Sequence, residues 1–225
     1  LLKRFLETAR RGKKIRGALV VLGYEAAGGT DNQAILDASL AIELFHAGIL
    51  VHDDFMDEDD LRRGLPTIHK QFEKMGRAIK VNTSPLHYGE SMAVNAGDAA
   101  YYLSWEKLMN AKFPPEWLIE AGKVYADYVI RVVYGQVLDI TNTTIKSMTE
   151  EDILKVLRCK AAEYTGMMPL LVGAALAGKK DKKCLQAIKD YGLAFGWAFQ
   201  IQDDILGLFG DEEEFGKPVG SDLRE

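Results

Sequence analysis

The chain has 225 residues, of which 48% are hydrophobic and 27% are charged, and its formal net charge is −5. This composition is typical of a globular protein that can bury one sizeable core. The acidic balance, with no basic stripe, argues against nucleic-acid binding. We therefore expect one domain, or two tightly merged halves, over residues 1–225. Because the chain begins without methionine and stops directly after a motif, we expect both of its ends to be incomplete.

The two cysteines, Cys159 and Cys184, form neither a C-x-x-C pair nor a zinc-binding spacing. They are therefore expected to be free thiols in a reducing compartment. The longest uncharged apolar stretch, residues 166–178, is shorter than the roughly 20 residues that span a bilayer, and it contains a proline. The first residues lack the apolar region of a secretory signal. These features predict a cytoplasmic protein without a transmembrane segment.

Helical periodicity dominates the chain. Apolar residues return every three or four positions over residues 31–57, 151–177 and 185–209. The best strand candidate, residues 129–133, is read more easily as a turn of helix. Thr149 and Asp152 have the spacing of a capping box at the start of a helix.

Glycines and prolines interrupt the helical stretches at five places: residues 28–29, 64–66, 83–85, 114–115 and 178–179. With a typical helix length of about 11–12 residues, the intervening stretches predict an all-α bundle of roughly eight or more helices.

An acidic cluster ends the first long apolar stretch. Asp53, Asp54 and Asp57 are followed directly by three more acidic residues at positions 58–60. On a helix, Asp53 and Asp57 lie one turn apart on the same face, where like charges repel unless a cation lies between them. A solvated acidic turn is the alternative. An EF-hand loop is excluded, because its alternating acidic positions and central glycine are missing.

A second carboxylate pair, Asp203 and Asp204, ends another apolar helical stretch 150 residues after the first pair. Two such pairs facing each other could hold Mg²⁺, which favours carboxylates together with substrate phosphate oxygens. Between them a diphosphate would be bound and turned into a leaving group. Two coincidental solvated clusters remain the simpler alternative.

The first cluster and the residues after it, up to Thr67, resemble the DDxxD motif of the trans-prenyltransferase, or polyprenyl synthase, family. The second cluster and residues 215–223 resemble the second aspartate-rich motif of that family, and residues 12–16 resemble its basic motif. Shorter motifs follow in the family's order at residues 43–46, 96–98, 135–139 and 160–165. The resemblance therefore covers residues 12–223.

This resemblance implies the isoprenoid synthase fold, a single-domain helical bundle around a deep central cavity. It implies an enzyme that joins isopentenyl diphosphate head to tail with an allylic diphosphate, using Mg²⁺ or Mn²⁺, and that forms a homodimer. Three features depart from the family pattern. Gly207 replaces a third aspartate, Ala161 replaces a threonine, and residues 70–88 form a longer stretch than expected, which we interpret as a mobile flap.

The resemblance also assigns roles to individual residues. The metal ligands would be Asp53, Asp57 and Asp203, and the catalytic set would add Asp54, Asp204 and Lys160. Isopentenyl diphosphate would be bound by Lys13, Arg16, His46 and Arg63. The allylic diphosphate would be bound by Arg62, Lys160 and Lys217, and Gln136 and Gln200 would also contact substrate.

Some of these residues have simpler interpretations. His46 could be a hydrogen-bonded histidine of the core, and Gln136 with Asp139 could be an internal polar pair. Adjacent arginines on a helix point about 100° apart, so Arg62 and Arg63 could serve two ligands.

Product length is expected to depend on the helix before the first motif. Gly48, five residues before Asp53, would leave the product tunnel open at that depth, and Phe45 would close it one turn deeper. The expected product is geranylgeranyl diphosphate, and farnesyl or C25 and longer products are the alternatives. Gly48 could instead only allow two helices to pack closely.

Two other functions are compatible with the motifs. A class I terpene cyclase shares the first aspartate motif, but its second metal site normally mixes Asn, Ser or Thr, and Glu. A non-catalytic partner subunit would be expected to lose aspartates, whereas both pairs are intact here.

Overall fold

The structure, a computed structural model, describes residues 2–144 and 147–209. Its helices are, in chain order, α1 (Leu2–Ala9), α2 (Ile15–Ala26), α3 (Asn32–Met56), α4 (Ile68–Ile79), α5 (Pro85–Met109), α6 (Pro115–Thr144), α7 (Glu150–Val156), α8 (Met168–Leu176) and α9 (Lys182–Phe209). Two two-residue strands, β1 (Leu61–Arg62) and β2 (Leu65–Pro66), are the only strands in this part of the chain. The prediction of an all-α protein is confirmed.

The helix boundaries follow the local signals in the sequence. The predicted capping box is present, since the Thr149 side chain accepts from the Asp152 amide and the Asp152 side chain accepts from the Thr149 amide. Asp31 caps α3 by accepting from the Ala34 amide at 3.0 Å. Asp181 caps α9 by accepting from the Cys184 amide at 2.8 Å. Each cap supplies an acceptor for a backbone N–H that has no partner inside its helix.

A π-helical segment, Leu157–Met167, joins α7 to α8 without a break. The apolar pattern predicted a helix here but did not distinguish the π form from the α form. π-Helical turns are rare and are often found at functional sites. This segment carries Lys160.

The described residues divide into two compact units. The first comprises residues 2–13, 41–106 and 206–209, and the second comprises residues 14–40, 107–144 and 147–205. In the first unit, α1, α3, α4 and α5 contribute to one buried core: Phe5, Val51, Ile68, Phe72, Ala93, Ala96 and Ala100. In the second unit, α8 packs against both α2 and α6.

The stretch from residue 70 to 88 is not the flap that we expected. Most of it is α4, and Phe72 on this helix is buried in the core of the first unit. Helical hydrogen bonding and a buried aromatic ring therefore anchor it to α3 and α5.

Residues Gln33–Met56 are long and apolar enough to cross a membrane, since an 18-residue window within them has a mean hydropathy of 1.8, but 56% of that window is buried within the protein. Burial of this kind is also found in the core helix of a soluble protein. Length and composition alone are weak evidence for a membrane span.

Candidate functional site

Asp53 and Asp57 lie in the last turn of α3 and just beyond it. The Asp57 amide donates to the Asp53 carbonyl at 2.9 Å, so the helical turn continues past Met56. Both residues are half-buried. The two carboxylates therefore lie one turn apart at the end of an apolar helix, as the spacing predicted.

Asp54 has a different environment from its neighbours. It is 1% exposed, and its carboxylate accepts a hydrogen bond from Nε of Arg62. The same arginine donates from Nη2 to Asp59 at 3.1 Å. Burial raises the pKa of Asp54 to about 6, although the Arg62 guanidinium opposes this shift. Asp54 and Arg62 thus hold the loop after α3 against the helix. Their assigned contacts with substrate remain predictions.

The two adjacent arginines lie in a hairpin and not on a helix. Leu61 pairs with Pro66, and Arg63 occupies the turn with a left-handed φ of 53°. The separation of 100° applies to residues on a helix and therefore does not describe Arg62 and Arg63. The local glycine and proline favoured a turn over a further helical turn.

Arg63 contacts the basic motif near the N-terminus. Its Nη1 donates to the Arg11 carbonyl at 2.6 Å, and Arg11 Nη1 donates to the Arg63 carbonyl at 3.2 Å. A Cβ on Gly12 would lie 2.6 Å from Nη1 of Arg63, so a larger residue there would displace the guanidinium from this position. The exposed Lys13 follows directly. The structure thus brings together two of the cations that the sequence assigned to isopentenyl diphosphate.

In the second unit, Arg16 lies against the motif at residues 160–165. Its Nη2 donates to Thr165 Oγ1 at 2.8 Å. Its guanidinium carbon lies 4.6 Å from the centre of the Tyr164 ring and 6.0 Å from that of Phe199. Arg16 is therefore held at a defined place by α2, the π-helical segment and α9.

Lys160 is paired with α6. Its Nζ donates to Asp139 Oδ2 at 2.5 Å. A Cβ on Gly135 would lie 2.5 Å from the backbone nitrogen of Lys160, so this glycine permits the close approach. Next to Gly135, the side-chain amide nitrogen Nε2 of Gln136 is buried and has no hydrogen-bond partner among the described residues. A buried N–H donor of this kind is satisfied when a bound ligand supplies an acceptor.

The second acidic cluster lies near the end of α9. The side-chain amide of Gln200 donates to Asp204 Oδ1 at 2.8 Å, one helical turn away, and Asp203 is exposed.

Two other predicted substrate ligands are His46 and Lys217. His46 on α3 is half-buried. Lys217, the remaining predicted ligand, lies outside the described residues.

The position of Gly48 matches the close-packing alternative. A Cβ there would lie 2.9 Å from both Ala100 Cβ and Tyr101 Cε1 on α5. Phe45 is 2% exposed, and its ring centre lies 5.3 Å from that of Tyr101. The space beside Gly48 is therefore filled by α5.

The model of the family described as polyprenyl synthetase matches residues 1–225. The chain belongs to the polyprenyl synthetase family. It is 36% identical to a short chain isoprenyl diphosphate synthase of Methanothermobacter thermautotrophicus over 214 residues, which are 95% of this chain and 60% of that protein. It is 35% identical to a geranylgeranyl diphosphate synthase of Sulfolobus acidocaldarius over 216 residues, again 95% of this chain and 60% of that protein. The chain thus spans about three fifths of the length of these relatives.

Among solved structures, the chain is similar to a geranylgeranyl pyrophosphate synthase of Corynebacterium glutamicum in complex with isoprenyl diphosphate and magnesium. The TM-score is 0.91 at 34% identity, covering 99% of this chain and 65% of the other. The isoprenoid synthase fold expected from the sequence is confirmed.

The polyprenyl synthetase family implies magnesium, and the donors at the end of α3 are suited to it. Within the described ranges, no three His, Cys, Asp or Glu side chains are grouped closely enough to hold a metal ion. Mg²⁺ is often bound by one or two carboxylates, with waters and substrate phosphates completing the octahedron. Asp53 and Asp57 provide two such carboxylates, one turn apart.

Sequence reasoning missed two polar residues in this polyprenyl synthetase chain, the buried Glu163 and the half-buried His52. Glu163 is 3% exposed and accepts from Arg131 and Arg158. His52 lies directly before Asp53, and its ring contacts α5. Glu163 could have been identified from the sequence, because it is a charged residue inside the apolar run at 161–176. For His52 the only available signal was its position beside the first motif.

Proposed function

We propose that the full-length protein is a Mg²⁺-dependent prenyltransferase. It condenses isopentenyl diphosphate head to tail with an allylic diphosphate to give a longer all-trans prenyl diphosphate. The observation that carries this proposal is the pair of carboxylates, Asp53 and Asp57, one turn apart at the end of the apolar helix α3. We further propose that the chain is part of a single isoprenoid synthase domain in the cytoplasm.

Two diphosphates bring about six negative charges, which protein cations and metal must balance. The contacts around Arg16, Lys160 and Gln136 support a role in binding them. Arg16 offers a planar fork that suits phosphate oxygens, and Lys160 offers an ammonium group now paired with Asp139. Gln136 offers a buried N–H donor. We assign Arg16, Arg63, Lys13 and His46 to isopentenyl diphosphate.

In the proposed reaction, Asp53 and Asp57, with Asp203, would hold magnesium. Magnesium held by these carboxylates would supply positive charge to balance the negative charge of a departing diphosphate. Lys160 and the side-chain amide of Gln136 donate to diphosphate oxygens as the carbon–oxygen bond of the allylic substrate breaks. The double bond of isopentenyl diphosphate attacks the allylic cation, and the proton then lost passes to the released diphosphate. Apolar walls such as Phe45 exclude the water that would quench the cation.

We propose geranylgeranyl diphosphate as the product. The geranylgeranyl diphosphate synthase among the relatives supports this length, as does the buried ring of Phe45, eight residues or about 12 Å along the helix from Asp53.

We also propose a homodimer. Four apolar residues on α6 are exposed at helical spacing, and such a stripe is suited to packing against a second subunit: Ile130, Val133, Tyr134 and Val137. Size-exclusion chromatography with light scattering should give twice the chain mass, and a stable, active monomer would contradict the assignment.

The deciding assay incubates the purified full-length protein alone with isopentenyl and dimethylallyl diphosphates and Mg²⁺, and then measures the dephosphorylated products by chromatography. We expect linear prenyl alcohols that disappear with EDTA and return when Mg²⁺ or Mn²⁺ is restored. Cyclic products would identify a terpene cyclase. No product from the protein alone would favour a partner subunit and would refute the proposal.

A further inference from the structure

His52 is held against α5 on both of its ring nitrogens. Nε2 lies 3.1 Å from the Val94 carbonyl oxygen, and Nδ1 lies 3.1 Å from the Tyr101 hydroxyl. The Asp98 carboxylate lies 3.7 Å from Nε2. The side chain of His52 is 18% exposed. Both ring nitrogens of His52 thus have a partner on α5, directly beside the first aspartate motif.

The contacts fix the proton positions on the neutral ring. A carbonyl oxygen can only accept, so Nε2 carries the hydrogen and donates to Val94. Nδ1 is then the acceptor, and the Tyr101 hydroxyl donates to it. The ring centres of His52 and Tyr101 are 5.2 Å apart and nearly perpendicular, which keeps the hydroxyl within reach of Nδ1.

Helix α5 has a glycine where the imidazole ring rests. A Cβ on Gly97 would lie 2.2 Å from His52 Nε2, so any larger residue would displace the ring. The His52 ring gives a structural reason for Gly97 in the motif at residues 96–98. This reason does not require Gly97 to contact a ligand. The same contact links that motif to the first aspartate motif through His52.

We propose that His52 is a positioning residue for the metal-binding carboxylates of Asp53 and Asp57. Successive side chains on a helix are about 100° apart, so Asp53 points about 100° and Asp57 about 140° around α3 from His52. Fixing the imidazole on α5 sets the rotation of the last turn of α3, and this sets the direction of both carboxylates. The inference rests on the proposed role of these two aspartates in binding metal.

The test measures metal binding directly and not through turnover. Free Mn²⁺ is quantified by electron paramagnetic resonance while the full-length protein is titrated in the presence of inorganic diphosphate. His52→Ala should weaken Mn²⁺ binding about 10- to 100-fold, the range typical of losing a residue that orients metal ligands. Tyr101→Phe removes one hydrogen bond and keeps the ring, so it should weaken binding less, by several-fold.

His87→Ala is the matched control, because His87 lies on the same helix α5 with its side chain 70% exposed. It should bind Mn²⁺ as the wild type does. Circular dichroism and the thermal midpoint establish that each variant is folded. If His52→Ala does not fold, Tyr101→Phe decides the question.

Wild-type Mn²⁺ affinity in a folded His52→Ala or Tyr101→Phe variant would overturn the inference, as would equal weakening in His87→Ala. A wild-type protein that binds no Mn²⁺ with diphosphate would overturn it as well. If Mn²⁺ binding depends on His52 but the wild type forms no prenyl product, the positioning role stands and the proposed function fails.

Discussion

The buried carboxylate of Glu163 should make two arginines energetically interdependent. Arg131 Nη1 lies 3.3 Å from Oε2 and Arg158 Nε lies 2.7 Å from Oε1, while the Glu163 side chain is only 3% exposed. The two arginine side chains are 47% and 53% exposed, so water can solvate either one when its partner is lost. Water cannot solvate the carboxylate in the same way. The loss in the free energy of unfolding should therefore depend on whether a cation remains beside the Glu163 carboxylate.

Arg131→Met or Arg158→Met alone leaves one cation on Glu163 and should lower the free energy of unfolding by about 1 kcal/mol, as for a part-exposed ion pair. The double variant leaves a buried charge without a cation and should cost about 3–5 kcal/mol. The free energy lost in the double variant should thus exceed the sum of the losses in the two single variants by about 1–3 kcal/mol. Adding Glu163→Gln to the double variant should recover stability, because the neutral amide needs no counter-ion.

Urea unfolding of all five proteins, followed by circular dichroism at 222 nm at one fixed protein concentration, measures these differences. Methionine is chosen because it retains much of the apolar stem of arginine. Additive losses in the double variant would refute the reasoning. So would a triple variant that is no more stable than the double.

Four further outcomes are expected. Asp53→Asn should lower kcat about 10²–10³-fold with little change in thermal midpoint, and near-normal turnover would remove Asp53 from the metal site. Lys160→Ala should lower kcat more than it raises KM for isopentenyl diphosphate, because the allylic diphosphate that Lys160 is proposed to bind gains charge during ionisation. Equal effects on the KM values of both substrates would contradict the proposed division of the cations between two diphosphates. Gly48→Ala should lower the free energy of unfolding by about 1–2 kcal/mol in urea titrations, since its methyl group would crowd α5, and a stabilised variant would disprove that contact. Phe45→Leu should raise the share of products longer than the wild-type product in chromatography, and an unchanged distribution would show that this ring does not limit length.

The order of the helices could be predicted from the sequence, because it depends on short-range properties. Apolar spacing, a capping box at Thr149 and Asp152, and glycine or proline breaks are all local, and each was found where predicted. Asp53 and Asp57 were predicted one turn apart for the same reason. Helical periodicity fixes this relation without reference to the rest of the chain.

The local signals failed where two conformations share one pattern. The π-helical segment at Leu157–Met167 has the apolar spacing of an α-helix, and the glycine and proline at residues 64–66 predicted a break without specifying the small hairpin around Arg62 and Arg63. In the stretch from residue 70 to 88, chain length suggested a flap, but burial of Phe72 makes it part of the core.

The sequence by itself determined the helical class, several of the helix boundaries and the residue types that suit a diphosphate and magnesium. Only the tertiary structure decided which partner each of these residues has. It pairs Asp54 with Arg62, Lys160 with Asp139 and Arg16 with Thr165, and it places His52 on α5. These partners are separated by 8 to 149 positions in the chain, and most of them lie on different elements. Such contacts depend on how the elements pack, and the periodicity of any one helix carries no information about that packing.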